Sequence, residues 1–306
     1  MGMDDKDGWI WLDGQWLPWR EAKVHVLTHT LHYGLGVFEG IRAYRGERGA
    51  AIFRLAEHLE RLFDSAHILG MAHDFNRETL ADACCEALAR NGLEAGYLRP
   101  LFFLGAEKLG IDPAGARVHA MIAAWPWRAY LGDGALERGI RVKISSFARH
   151  HVNVQMCRSK SVSTYANSIL ATREARGDGY DEALLLDTDG YVAEGAGENV
   201  FMVKRGVLYE PEITSALDGV TRRTVLALAG DLGVPVASRR ITRDELYCAD
   251  EVFFTGTAAE ITPVIEVDRR RVADGRPGPI TRAVQERYFA CVHGRDPAHG
   301  DWLTWA

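Results

Sequence analysis

The chain has 306 residues, of which 47% are hydrophobic and 25% charged. That composition belongs to a globular protein with a large core, and the length exceeds what one simple core usually carries, so two domains are expected. The net charge of -6 comes without any basic run or stripe, which argues against nucleic acid as a partner. No apolar run reaches the roughly eighteen residues of a membrane span. The acidic, polar start at residues 1–7 lacks the basic and apolar stretches of a signal peptide. Cys84, Cys85, Cys157, Cys248 and Cys291 are an odd set without framework spacing, as expected of a reduced, cytoplasmic protein.

Residues 9–12 and 15–19 flank the turn Asp13-Gly14 and read as a β-hairpin. Residues 22–28 alternate and read as another strand. Over 54–70 the apolar Leu55, Leu59, Leu62, Phe63, Ala66 and Leu69 recur at helical spacing. Residues 78–91 form a second amphipathic helix, stopped at Asn91-Gly92. Strands are expected over 97–104 and 118–125. Residues 126–139 are rich in glycine and turn formers, which places a domain boundary there. The expected division is an N-terminal α/β domain over 1–128, a linker over 129–138 and a larger domain over 139–306. In the latter, strands are expected over 141–146, 183–187, 199–203, 207–210 and 251–255, and helices over 165–176 and 221–232. Strands and helices mix in both parts, so the fold class is α+β.

Lysine is scarce. The six are Lys6, Lys23, Lys108, Lys143, Lys160 and Lys204. Five have unremarkable settings in a tail, a loop, a hairpin turn or a strand. Lys160 differs, because it stands among hydroxyl side chains in Ser159-Lys160-Ser161-Val162-Ser163-Thr164-Tyr165, between a strand region and a helix. A lysine there suits nucleophilic attack on a carbonyl once burial lowers its pKa, although an exposed loop lysine is the plainer reading. A helix N-terminus offers unpaired N–H groups to a phosphate. Gly219-Val220-Thr221 opens a helix, and Thr255-Gly256-Thr257-Ala258-Ala259 follows a strand. Glu194 lies in the Gly-rich Glu194-Gly195-Ala196-Gly197-Glu198-Asn199, where a carboxylate could pair with a heterocyclic nitrogen or simply face solvent.

Other motifs lead elsewhere. The run from Gly34 to Gly40 misses G-x-G-x-x-G by one position and lacks a strand–helix–strand unit, so no dinucleotide site is expected. His25, His29 and His32 have helical spacing, but the strand reading of 22–28 and the absence of H-E-x-x-H argue against zinc, and no metal is expected. No G-x-S-x-G elbow is present.

Several segments occur together in one order: His32-Tyr33-Gly34, Val37-Phe38-Glu39-Gly40-Ile41-Arg42, Arg61-Leu62, Tyr97-Leu98-Arg99-Pro100, the Lys160 segment, Tyr180-Asp181-Glu182-Ala183, the Glu194 segment, Gly219-Val220-Thr221-Arg222 and the Thr255 segment. That order and spacing resemble the class IV aminotransferases, two-domain fold-type IV pyridoxal-phosphate (PLP) enzymes of the D-amino-acid aminotransferase type. Within them the chain looks like a branched-chain amino-acid aminotransferase. The resemblance runs from Trp11 to about Tyr288. It implies that Lys160 carries PLP covalently and moves the proton during catalysis. Glu194 would pair with the pyridine nitrogen, and Tyr165 with the 3′-oxygen. Arg61, Val220, Thr221 and Thr257 would hold the phosphate, and Leu217 would pack on the ring. Tyr33, Phe38, Gly40, Tyr97, Trp127 and Tyr130 would shape the side-chain pocket, with Tyr33 supplied by a neighbouring subunit. Thr257 and Ala258 would take the substrate carboxylate, and Arg99 a substrate side-chain carboxylate. The implied reaction transfers amino groups from leucine, isoleucine and valine to 2-oxoglutarate. A D-amino-acid or (R)-amine transaminase is the alternative. The implied assembly is a homo-oligomer, a dimer or dimer-based hexamer. One departure stands out: Val162-Ser163-Thr164 occupies the place of a Gly-Gly-Asn-like run, which bears on side-chain preference, while the lysine–tyrosine spacing is kept.

Overall fold

A computed structural model describes residues 2–127, 130–132 and 134–306. The chain forms two compact units. The first comprises Met1–Trp127, Ser159–Ser163 and Cys291–Ala306, and the second Arg128–Arg158 and Thr164–Ala290. The division is therefore not a single cut. Segments 159–163 and 291–306, expected with the C-terminal domain, join the first unit because their backbone bonds lie there. The expected linker over 129–138 is partly outside the described residues, and its end is helical.

In the first unit, β1 (Trp9–Leu12) and β2 (Gln15–Pro18) form the expected hairpin. Residues 22–28 form no strand. Local bonds win there: the Thr28 N–H and hydroxyl both donate to the His25 carbonyl. Val24, Val26 and Leu27 are exposed, so the alternation reports no buried face. The turn leads instead into α1 (His29–Tyr33), ended by Gly34 at φ 73°. Then follow β3 (Gly36–Phe38), β4 (Ile41–Gly46) and β5 (Gly49–Phe53). α2 (Leu55–Ile68) buries Leu55, His58, Leu59, Arg61, Leu62, Ser65 and Ala66, an i, i+3, i+4, i+7 face on which three residues are polar. α3 (Arg77–Arg90) is capped by Asn76, whose side chain accepts from the Thr79 N–H. β6 (Gly96–Leu104) and β7 (Val118–Trp125) pair along their length. Phe102, Ile52, Leu59, Leu62 and Leu98 are among the buried side chains of this unit's core.

The second unit opens with α4 (Ala135–Arg138) and β8 (Ile140–Ile144), then α5 (Tyr165–Gly177), β9 (Glu182–Leu186), β10 (Val192–Gly195), β11 (Asn199–Lys204) and β12 (Val207–Glu210). α6 (Val220–Asp231), β13 (Val236–Ser238), α7 (Arg243–Tyr247), β14 (Glu251–Gly256), β15 (Glu260–Val267), β16 (Arg270–Arg271) and α8 (Pro279–Val292) follow. Its mixed sheet runs β10-β9-β8-β15-β14-β11-β12-β13, with β16 beside β15. β8 is parallel to both β9 and β15. Finally β17 (Leu303–Trp305) returns to the first unit and pairs with β5, completing an antiparallel sheet of order β17-β5-β4-β6-β7-β1-β2, with β3 on β6. The mixture of helix and sheet is α+β, as expected.

Candidate active site

The first unit holds Lys160. Its backbone is clipped on two sides: its N–H donates to Ser65 Oγ on α2 at 3.0 Å, and its carbonyl accepts from the Phe38 N–H at 3.1 Å. Ser159 Oγ adds a bond to the Ser65 carbonyl at 3.1 Å. A single β-bridge links Ser161 to Val37. The Lys160 ammonium lies 5.2 Å from the Phe38 ring centroid. The other lysines with recorded partners have plain ones: Lys108 pairs with Asp112, Lys143 with Glu174 and Asp178, and Lys204 with Asp250.

The helix that bears Ser65, α2, also carries Arg61. The guanidinium is gripped side-on by Glu39, Nε to Oε1 at 2.7 Å and Nη2 to Oε2 at 2.8 Å. His58 Nδ1 lies 2.7 Å from Glu39 Oε2. Glu39 is fully buried, and its N–H donates to the Pro100 carbonyl at 2.8 Å. Burial pushes the Glu39 carboxyl up, but Arg61 and His58 outweigh this and hold it far below the usual carboxylate range. Burial lowers the His58 pKa against the pull of Glu39, with Arg61 and Lys160 adding to the lowering; because a carboxylate can only accept, the Nδ1–H donates to it. The sequence reading missed Glu39, His58 and Ser65 as functional residues. The helical register of Arg61, three after His58 and four before Ser65, was the available signal.

Alternation along β6 brings Tyr97 and Arg99 to one face. Tyr97 stacks on Trp127, centroids 4.4 Å apart, and lies 5.3 Å from Trp125. The Arg99 guanidinium carbon sits 4.6 Å from the Phe38 centroid, 5.5 Å from Tyr97 and 6.0 Å from Trp125. Its Nε is buried without a hydrogen-bond partner, and no carboxylate pairs with it among the described residues. Gly40 has to be small, since a Cβ there would strike the Tyr97 hydroxyl and lie 2.6 Å from its Cζ. The unit thus gathers Phe38, Gly40, Tyr97, Arg99 and Trp127. Tyr33 stands apart on α1, 47% exposed and packed on His29 at 4.7 Å.

The second unit holds Glu194 at 6% exposure on β10. Arg149 Nη2 pairs with Oε1 at 2.7 Å, and the Leu217 N–H donates to Oε2 at 3.0 Å. Asn199 Nδ2 donates to the Leu217 carbonyl at 2.8 Å. Two residues on, Gly219 opens α6 in extended conformation, having no side chain of its own to cap it, and Val220 and Thr221 are buried. At the end of β14, Thr255 Oγ1 is buried without a partner, next to the half-buried turn residues Thr257 and Ala258. Tyr165 begins α5, and Tyr130 is exposed. A phosphate-bearing pyridine fits these groups: a buried carboxylate for its nitrogen, and a glycine-opened helix start and an orphaned hydroxyl for its anion.

The family model for amino-transferase class IV matches residues 36–267. The chain belongs to the class IV aminotransferases. It is 54% identical to a branched-chain-amino-acid aminotransferase of Pseudomonas aeruginosa, covering 99% of both chains. It is 45% identical to one of Escherichia coli strain K12, covering 97% of both. The solved T.th. branched-chain amino acid aminotransferase with pyridoxamine 5′-phosphate superposes with a TM-score of 0.95 at 49% identity, covering 98% of this chain and 99% of that one. The T.th. enzyme has also been solved with N-(5′-phosphopyridoxyl)-L-glutamate and with 4-methylvaleric acid, at TM-scores of 0.93 and 0.94. Class IV aminotransferases are PLP enzymes, and this chain is an aminotransferase of that kind. No described helix is long and apolar enough to cross a membrane, and no described cluster of side chains could hold a metal ion.

Proposed function

We propose that the protein transfers amino groups from leucine, isoleucine and valine to 2-oxoglutarate. The carrying observation is the aromatic wall of Phe38, Tyr97 and Trp127 with Arg99 set into it and no carboxylate of its own. Aromatic rings suit a branched aliphatic side chain, while the guanidinium suits the second carboxylate of glutamate. The two ligands of the T.th. enzyme, a glutamate adduct and an acid with the leucine skeleton, support one pocket of both characters. The relatives' names favour this reading over D-amino-acid or (R)-amine transamination.

The bound cofactor supplies a carbonyl that receives the amino group and a ring that draws electrons from the substrate's α-carbon. With the cofactor bound, Lys160 Nζ would hold it covalently at rest and would carry the proton to and from the substrate's α-carbon. Its clipped backbone keeps it in place. Glu194, braced by Arg149, would pair with the pyridine nitrogen, and the Tyr165 hydroxyl would serve the 3′-oxygen. Arg61, the Val220 and Thr221 amides and Thr257 hold the phosphate. Leu217, tied to Glu194 through its N–H, packs on the ring. Thr257 and Ala258 amides take the α-carboxylate, and Tyr130 adds to the pocket wall. Borohydride reduction and peptide mapping test the assignment. The pyridoxyl label is expected on Lys160, and Lys160→Ala abolishes turnover; a label on another lysine refutes it.

The working assembly in this reading is a cytoplasmic homo-oligomer, with dimers as its unit. The five cysteines are an odd set without framework spacing, which supports a reducing compartment. In the first unit Val26, Leu31, Tyr33 and Ile111 are exposed, and His29 Nε2 ties α1 to the Gly110 carbonyl. An apolar surface of that kind supports a second copy as its cover. Light scattering of the purified protein tests this, and a monomer at micromolar concentration refutes it.

A further inference from the structure

Arg61 carries an obligation of its own. A guanidinium on a flexible stem loses conformational freedom when it must meet one anion in one place. Something has to hold it beforehand. In this fold the holder is Glu39, fully buried between Phe38 and Gly40 and anchored by its own N–H on the Pro100 carbonyl. It takes the Nε–H and an Nη2–H at 2.7 and 2.8 Å, a planar bidentate pair. A planar group gripped along its Nε edge has its Nη1 side aimed by geometry. His58, 1% exposed, completes the brace by donating to Glu39 Oε2. The same face of α2 carries Ser65, which receives the Lys160 N–H. One helix face therefore fixes both the guanidinium and the backbone of the lysine.

We propose that Glu39 and His58 are positioning residues that pre-set the Arg61 guanidinium for the cofactor's phosphate. This rests on the reading of Arg61 as a phosphate ligand. A brace that serves only the fold lowers affinity for every form of the cofactor alike, or for none. A brace that aims Arg61 discriminates between a ligand with a phosphate and one without. The pKa direction of Glu39 agrees with this role, since Arg61 and His58 hold its carboxyl ionised.

The experiment titrates the full-length chain, freed of cofactor, with PLP and separately with pyridoxal, which lacks the phosphate. Glu39→Gln keeps the shape and removes the charge. It should weaken PLP about tenfold or more and change pyridoxal by no more than about twofold. Arg61→Leu is the control on the underlying reading. If Arg61→Leu leaves the PLP-to-pyridoxal ratio unchanged, the phosphate reading of Arg61 fails and the brace falls with it. If Arg61→Leu shifts the ratio and Glu39→Gln does not, the brace alone is overturned. If Glu39→Gln does not fold, His58→Leu removes one arm and leaves the bidentate pair. A selective loss of about threefold on PLP then supports the brace, and equal change on both ligands overturns it.

Discussion

Arg99→Leu should separate the two substrates that share the pocket. The guanidinium is held by rings at 4.6, 5.5 and 6.0 Å rather than by a carboxylate, and its Nε is buried and unsatisfied. A hydrogen bond to a charged group is worth about 1.5–3 kcal/mol, and 1.36 kcal/mol is tenfold. Losing the guanidinium therefore weakens the half-reaction with L-glutamate or 2-oxoglutarate by about a hundredfold. Leucine makes no such pair, and its half-reaction should survive within a few-fold. Stability should scarcely move. Removing the cation forfeits stacking of about 0.5–2 kcal/mol on the rings. It also relieves a buried unpaired N–H that costs about 1–3 kcal/mol. The assay follows the cofactor's absorbance after rapid mixing with each amino acid in turn, alongside a thermal melt. Equal losses in both half-reactions, with Tm unchanged, would show that Arg99 shapes the pocket without selecting the acidic substrate.

Glu194→Gln should cut turnover far more than it cuts PLP binding, because a neutral amide beside Arg149 cannot hold the ring nitrogen protonated. Near wild-type rates at saturating PLP would refute that role. Gly40→Ala puts a methyl group against the Tyr97 hydroxyl and must displace the ring that stacks on Trp127. About 1–3 kcal/mol of stability and much of the affinity for leucine should go, and unchanged leucine kinetics would count against the tight fit. Glu174 is expected to support stability in the second unit. Burial raises its pKa, but Ser145, Ser146 and Lys143 outweigh this and bring it to about 2 from 4.5. A depressed carboxyl stabilises the fold above its unfolded pKa and loses that contribution as pH falls through the folded one. Urea titrations of Glu174→Gln and wild type should differ at neutral pH and converge between pH 4.5 and about 2; a gap that persists in acid would refute the linkage.

Much of the fold was legible because hydrophobic period and punctuation agree there. α2, α3, α5 and α6 follow their apolar spacing and their Asn or Gly boundaries, and β6, β7, β11 and β12 follow β-branched and aromatic runs. What failed was pattern without a partner. Residues 22–28 alternate like a strand, yet Val26 is 76% exposed and the backbone bonds close locally at His25. β4 and β5 form a local hairpin closing at Gly46 and Gly49 that the sequence pattern did not single out, whereas β17 escaped because it pairs residues 303–305 with 51–53, a contact that no local window contains. The reach of the first unit back to segment 159–163 escaped for the same reason. It rests on Ser65 and Phe38, about a hundred positions away in sequence from Lys160.

The candidate site divides along the same line. Lys160 among six lysines and Glu194 in its glycine surroundings stood out as candidates, but it was the resemblance to the class IV aminotransferases that implied their roles. Glu39 was not, although it lies in the run from Gly34 to Gly40 that nearly spells a nucleotide loop. Those glycines answer to packing instead. Gly34 ends α1 at φ 73°, a Cβ on Gly36 would lie 3.1 Å from the Phe102 carbonyl, and one on Gly40 would strike Tyr97. Close approach of β3 to β6 and to the Lys160 segment is what they permit. Once the backbones are that close, the side chain between Phe38 and Gly40 has nowhere to go but inward. A glutamate buried there must meet cations or forfeit its solvation. α2 supplies Arg61 and His58 at that depth. The glycines and the charge are thus one device: the first bring the strand in, and the second gives the arginine its aim.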